Sequence, residues 1–150
     1  KILSQILAMR LQVQLPNLIN SNKAYVHTRN IIDNVLNLDA IFKLDLKVKY
    51  ILLSDFSAAF DTMSHNWLRL VCKKAKLGDH FYNSIDYLLQ DMIAFHLIGQ
   101  GTSKQKISLN AGVRQGDPIS GLLFNLGLEP LITVLKKDCG IILDYADDIA

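Results

Sequence analysis

The sequence predicts one α+β domain, and three observations predict it. Several segments carry apolar residues at helical spacing. Two alternating runs flank a glycine-rich turn, and a short apolar run closes on two adjacent carboxylates. Strands interleaved with helices, with hairpins among them, separate this pattern from a doubly wound parallel sheet. At 150 residues the chain is about one domain long and large enough for a real core.

The elements follow in order. Ile2, Ile6, Met9 and Val13 fall on one helical face, with Leu3 and Leu7 beside them, and Pro16 ends that helix. A second helix carries Ile31, Val35, Leu38 and Phe42 at the same spacing. Lys47 to Ser54 then switches to a strand, and Tyr50-Ile51-Leu52-Leu53 makes its end apolar enough to be buried. Helices follow at about 65–77, with Leu68, Val71 and Ala75, and at about 81–92, with Phe81, Ile85, Leu88 and Met92. Such stripes serve as core. Ile93, Phe95 and Leu97 alternate, as do Ile107 and Leu109, around the turn Gly99-Gln100-Gly101-Thr102-Ser103. The loop Gly112-Val113-Arg114-Gln115-Gly116-Asp117-Pro118 opens a strongly apolar helix that runs to about Lys137.

Bulk properties exclude several classes. Half of the residues are hydrophobic, which argues against disorder. A net charge of +2 does not by itself announce a nucleic-acid binder. The clusters Lys73-Lys74-Lys76 and Lys104-Lys106 read first as solvated faces, yet they permit a basic groove. Cys72 and Cys139 lack ligand-like spacing, so a zinc site is not expected. No apolar run reaches spanning length, because Leu122 to Leu135 is interrupted by Asn125, Glu129 and Pro130. No membrane is therefore expected, and no protein partner can be inferred. The chain starts at Lys1 rather than Met and stops two residues beyond its acidic pair, so it reads as a piece of something longer.

The chemistry is carried by acids. Tyr145-Ala146-Asp147-Asp148 places two carboxylates after the apolar run Ile141 to Leu143, and Asp55 stands directly after the strand-like run 50–53. Any one of these acids taken alone reads as a solvated turn. Together, two strands ending in acids would bind a hard divalent cation such as Mg²⁺, which suits metal-assisted phosphoryl chemistry. The loop before the long helix adds a second feature. Asp117 can cap that helix and Pro118 fits its first turn, while Gly112 and Gly116 let backbone approach a ligand. The helix N-terminus suits a phosphate, and Gln115 offers an amide beside it.

Asp55-Phe56-Ser57-Ala58-Ala59-Phe60-Asp61, Gly112 to Ser120 and Tyr145 to Asp148, in that order, resemble the reverse transcriptase family in its non-LTR (LINE-type) form. Lys1-Ile2-Leu3 through Asn17-Leu18-Ile19, Ala24 to Arg29 and Ile32-Asp33-Asn34 look like the fingers region that precedes the palm, so the resemblance covers essentially the whole chain. It implies an α+β fold of fingers helices and a palm-type antiparallel sheet, truncated before the thumb. Residues 1–48 would be fingers-like helices and 49–150 fingers and palm with the acidic site. The implied activity is RNA-directed DNA polymerisation, by two-metal nucleotidyl transfer from a dNTP to a primer 3′-hydroxyl.

Residue by residue, the resemblance implies that Asp55 and Asp147 bind two Mg²⁺ ions, with Asp148 as the third acid. Phe60 matches the bulky residue that crowds the sugar 2′-position; its plainer reading is a core aromatic. Gln115 and Gly116 would line the nucleotide pocket, Arg29 would contact the triphosphate, and Tyr145 would pack near the primer end. Asp61 reads as a structural acid. An RNA template, a DNA primer and dNTP are the implied partners, in nucleus or cytoplasm. The chain departs from the family at Ala58, where many relatives carry a basic residue, and at Thr28, which stands for a glycine before Arg29. It departs again between Gly140 and Tyr145, where the connection is short enough to predict a displaced acidic turn. The alternatives are an inactive retroelement remnant that retains nucleic-acid binding, and an unrelated metal-dependent phosphohydrolase.

Overall fold

Apolar side chains at helical spacing need a common surface to bury against, and here the surface is the long helix near the C-terminus. The computed structural model describes residues 1–44, 48, 50–90, 92–98 and 101–150, the side chains of 96–98, 101–105 and 139 excepted. The helices are α1 (Ile2–Leu18), α2 (Ile31–Lys43), α3 (Ala59–Thr62), α4 (His65–Lys74), α5 (Asp79–Leu89) and α6 (Ser120–Cys139). Between them stand the strands β1 (Ile93–Ile98) and β2 (Gly101–Ser108), and after α6 come β3 (Asp144–Tyr145) and β4 (Asp148–Ile149). Mixed helices and small antiparallel sheets make an α+β fold, as expected. No helix among the described residues is long and apolar enough to cross a membrane.

The main core joins Leu7, Leu11 and Leu15 of α1, Leu68 and Cys72 of α4, Ile85 of α5, and Leu122 and Leu126 of α6. A smaller cluster of Ala59, Phe124, Leu128 and Ile132 lies on another side of α6, with Phe56, Ile142 and Ile149 against it. From Leu122 to Glu129 every residue of α6 is buried, which is the signature of a helix enclosed on all sides. Phe60 and Met63 touch both clusters and link them.

Four expectations are corrected. First, the α1 stripe of Ile2, Ile6, Met9 and Val13 faces outward, 82%, 44%, 64% and 72% exposed, while Ser4, Leu7, Ala8, Leu11 and Leu15 are buried. This helix is apolar on both faces, so periodicity alone could not choose the inward one. Second, Pro16 lies inside α1 rather than ending it. Its missing N–H costs one ladder bond near the end, where buried Leu15 and Ile19 and the bond from Ile19 N–H to the Leu15 carbonyl hold the turn. Third, α2 buries none of its residues, so its stripe is not core. The helix is fixed instead by its start: Asn30 Oδ1 accepts from Ile32 N–H, and Asp33 Oδ2 accepts from Asn30 N–H.

The fourth concerns the strand expected over Lys47 to Ser54. Residues 47 and 49 lie outside the described residues, and Tyr50, Leu52 and Leu53 are exposed. Among the described residues of this stretch only Ser54 pairs, in a single antiparallel bridge to Ile149. The partner on offer is β4, two residues long, so the ladder stops after one step. The helices expected at 65–77 and 81–92 are present as α4 and α5, with Leu68, Val71 and Ile85 buried and Met92 buried just beyond α5. The expected hairpin is present too: β1 and β2 pair antiparallel from Ile93–Ser108 to Ile98–Gly101, and its turn at 99–100 lies outside the described residues.

Candidate active site

Two short strands bring the acids together. The β3–β4 hairpin pairs Asp144 with Ile149 and Tyr145 with Asp148, leaving Ala146 and Asp147 as its turn. Ile149 also exchanges both main-chain hydrogen bonds with Ser54, at 2.8 and 3.0 Å. Asp55 follows Ser54 and Asp148 precedes Ile149, so the antiparallel bridge sets these acids next to each other across two chain segments. The short connection after Gly140 therefore still delivers the acidic turn to the segment that carries Asp55. Asp55 and Asp148 are exposed and Asp147 is half-buried. No side chain among the described residues pairs with any of the three carboxylates, although no three acidic, His or Cys groups there are already gathered tightly enough to hold an ion. An all-carboxylate set of unpaired oxygens fits a hard divalent cation.

The hairpin turn has a demanding backbone. Ala146 has φ +54°, the left-handed region that disfavours residues with a Cβ. Asn22, 1% exposed, holds it there: Asn22 Oδ1 accepts from Ala146 N–H at 3.2 Å, and Asn22 Nδ2 donates to the Ala146 carbonyl at 3.0 Å. Asn22 Oδ1 also accepts from Ala24 N–H at 3.0 Å. Arg29 supports the same segment from the other side. Its guanidinium donates to the carbonyls of Asn22 at 2.9 Å, Ile19 at 2.6 Å and Pro16 at 3.4 Å, capping the negative end of α1. Asn34 and Lys23 fasten the start of the hairpin by donating to the Asp144 carbonyl at 3.0 and 3.3 Å.

The Asp144 side chain is 1% exposed, and neither carboxylate oxygen has a hydrogen-bond partner. Burial pushes its carboxyl above the usual carboxylate range, opposed by the Ser21 hydroxyl and the Lys136 charge and reinforced by Glu129. Glu129 Oε1 is satisfied by Asn20 and Thr133, while its Oε2 is not.

The loop expected to line a nucleotide is stitched to the segment after Asp55. Gly112 N–H donates to the Met63 carbonyl at 2.8 Å and Val113 N–H to the Phe60 carbonyl at 2.9 Å. A Cβ at Gly112, which has φ +90°, would stand 2.8 Å from the Asp61 carbonyl oxygen, so only glycine fits. Gly116 also has a positive φ, but the space around it is open. Gln115 is exposed, and its Nε2 donates to Asp61 Oδ1 at 3.4 Å. Asp117 Oδ1 accepts from Ile119 N–H at 3.3 Å and from the Ser4 hydroxyl, so protein groups close the start of α6.

Phe60 sits between two aromatic rings. It stacks on Phe124, with centroids 4.3 Å apart and planes at 18°, and meets Tyr25 edge-on at 6.3 Å and 81°. The structure thus gathers Asp55, Asp147, Asp148 and Tyr145 on one hairpin and bridge, and ties Phe60 and Gln115 to the neighbouring loop. It turns the Arg29 guanidinium toward α1. Asn22, Tyr25 and Asp144 were missed in the sequence, where 20–23 reads as a polar loop and alanine at 146 gives no sign of a left-handed turn.

The profile of the family described as "Reverse transcriptase (RNA-dependent DNA polymerase)" matches residues 1–150. The chain belongs to the reverse transcriptase family. Its relatives place it with the non-LTR retrotransposon type. It is 30% identical over 162 residues, 99% of this chain and 23% of the relative, to a retrovirus-related Pol polyprotein from type-1 retrotransposable element R2 of Popillia japonica. It is 27% identical over 165 residues, 99% of this chain and 12% of the relative, to the transposon TX1 uncharacterized 149 kDa protein of Xenopus laevis. It is also 30% identical over 145 residues, 92% of this chain and 13% of the relative, to the Pol polyprotein from type-2 retrotransposable element R2DM of Drosophila melanogaster. The chain spans less than a quarter of the length of each of these relatives. Reverse transcriptases work on nucleic acid with nucleotide substrates and use divalent metal ions.

Proposed function

We propose that this chain carries the nucleotidyl-transfer centre of an RNA-directed DNA polymerase. The observation that carries the reading is the Ser54–Ile149 bridge, which sets Asp55 beside Asp148 at the edge of the Tyr145–Asp148 turn. In this reading residues 1–48 are fingers-like, and 49–150 complete fingers and palm, with β3, β4 and the Ser54 bridge as the edge of a palm-type sheet. Asp55, Asp147 and Asp148 hold two Mg²⁺ ions, which when bound supply the positive charge that offsets the phosphates and the leaving pyrophosphate. An RNA template, a DNA primer and dNTP are the substrates. The primer 3′-oxygen bonds to the α-phosphorus, the bond from that phosphorus to the bridging oxygen breaks, and the hydroxyl proton passes to solvent.

The remaining residues position the reactants. Tyr145, half-buried opposite Asp148, supports the primer end. Gln115 and Gly116 line the nucleotide on the side of Asp61 in α3, and Phe60 crowds the sugar 2′-position. Arg29 contributes a fixed positive charge for the triphosphate; three of its five N–H groups hold main-chain carbonyls, which leaves Nε–H and one Nη1–H as donors for a phosphate.

Primer extension on an RNA template, using the longest natural form of the protein, tests this reading. Asp147→Asn should abolish dNTP incorporation and leave RNA affinity within a few-fold. Incorporation that survives Asp147→Asn means that the acids are misassigned. Salt-dependent RNA binding without any incorporation would identify an inactive binding remnant. Template-free release of phosphate from small esters would identify a phosphohydrolase.

A further inference from the structure

The geometry assigns Tyr25 as a positioning residue that fixes the Phe60 ring and so sets how sharply the site separates deoxynucleotides from ribonucleotides. The inference rests on the reading of Phe60 as the residue that meets the sugar. The neighbours of Tyr25, Ala24 and Val26, are buried, 1% and 3% exposed, while Tyr25 is 50% exposed and has φ +56°. A bulky residue in that conformation costs free energy that glycine would avoid, and a half-exposed ring recovers little of it by burial. Backbone strain of this kind collects where a side chain must be aimed.

The Tyr25 ring is aimed at Phe60. The main chain is tied down, because the Tyr25 carbonyl accepts from Gln12 Nε2 at 2.9 Å. One side of the ring lies against Gly121 of α6, so closely that a Cβ there would stand 2.7 Å from ring carbons. An edge-to-face contact then joins it to Phe60 at 6.3 Å. Phe124 stacks on Phe60 at 4.3 Å, so Phe60 is held by a core ring and by the strained, half-exposed Tyr25. Tyr25 follows Ala24, whose N–H donates to the same Asn22 side chain that holds Ala146, which ties its segment to the acidic hairpin. Tyr25 thus links the segment that holds the acidic turn to the residue that meets the sugar. Without it, Phe60 keeps its contact with Phe124 and gains freedom on the other side.

Single-nucleotide incorporation by the longest natural form of the protein, with dNTP and rNTP in parallel, tests this. Tyr25→Ala should lower the dNTP-over-rNTP ratio of kcat/KM by about three- to tenfold, the worth of one edge-to-face aromatic pair at a factor of ten per 1.4 kcal/mol. Tyr25→Phe, which keeps the ring, should restore the ratio. Phe60→Val should relax it, and adding Tyr25→Ala to Phe60→Val should relax it no further. Tyr25→Leu gives the same reading should the alanine variant fold poorly. If Tyr25→Ala and Tyr25→Leu slow both nucleotides equally while Phe60→Val relaxes the ratio, the inference is overturned and the reading of Phe60 stands. If Phe60→Val itself leaves the ratio unchanged, that reading falls and takes the inference with it.

Discussion

Asn22 grips Ala146 through both polar groups of its main chain, accepting from the N–H and donating to the carbonyl across 124 positions of sequence. One buried amide thereby holds the left-handed residue on which the Asp147–Asp148 turn is built. Asn22→Ala orphans the Ala146 and Ala24 N–H groups and the Ala146 carbonyl, and a buried group left without a partner costs about 1–3 kcal/mol. The variant should lose at least about 2 kcal/mol in urea unfolding, and on the proposed reading dNTP incorporation should fall further than RNA binding. A loss under about 0.5 kcal/mol would show that water replaces the amide.

Gly112 and Gly116 share a positive φ and differ in surroundings, which makes them a matched pair. Gly116→Ala meets only backbone strain and should cost about 1–2 kcal/mol. Gly112→Ala adds a clash with the Asp61 carbonyl and should cost about 2–5 kcal/mol. Equal costs for the two variants, read from urea midpoints, would mean that the loop 112–116 shifts freely on the Asp61 segment.

Much of this was legible in the sequence because it is local. The α4 and α5 stripes, the β1–β2 alternation and the order of the acids depend on near neighbours in the chain. The inward face of α1 was not legible, since Ile6 and Leu7 or Met9 and Leu11 are equally apolar and only packing against α6 chooses between them. The expected buried strand before Asp55 failed for a similar reason. Leu52 and Leu53 have the composition of a central strand, but β4 supplies partners for one residue, Ser54. At the site, the residue types of the acids could be read directly. The support from Asn22 and Tyr25 could not, because it depends on long-range bonds and on positive φ values at Tyr25 and Ala146 that those residue types do not advertise.

Cys72 gives a direct check on the main core. Its thiol is 1% exposed, and burial pushes its pKa up to about 11, so the nucleophilic thiolate is scarce at neutral pH. Iodoacetamide at pH 8 should leave Cys72 unmodified in the folded protein and label it once urea unfolds the chain, with the site read by peptide mass spectrometry. Labelling without urea at the rate of an exposed thiol would mean that α4 does not pack on α6 as described.

Asp144 should make stability depend on pH in a direction opposite to that of an ion-paired acid. Its carboxyl is raised by burial, so between the ordinary value of about 3.9 and the raised one the folded state keeps a proton that the unfolded chain has released. The stabilisation from that proton is fully present below the ordinary value and is lost as pH rises through the raised one. Asp144→Asn keeps the shape and removes the charge, so it abolishes this dependence. The asparagine variant should therefore be more stable than the parent at pH 8, and the gap should close as pH falls toward 4. Urea midpoints for both proteins across that range isolate the effect, because every other titrating group is shared. A gap that widens toward acid would place a cationic partner on Asp144, such as the ammonium of Lys136, and would reverse the assignment of burial as the dominant cause.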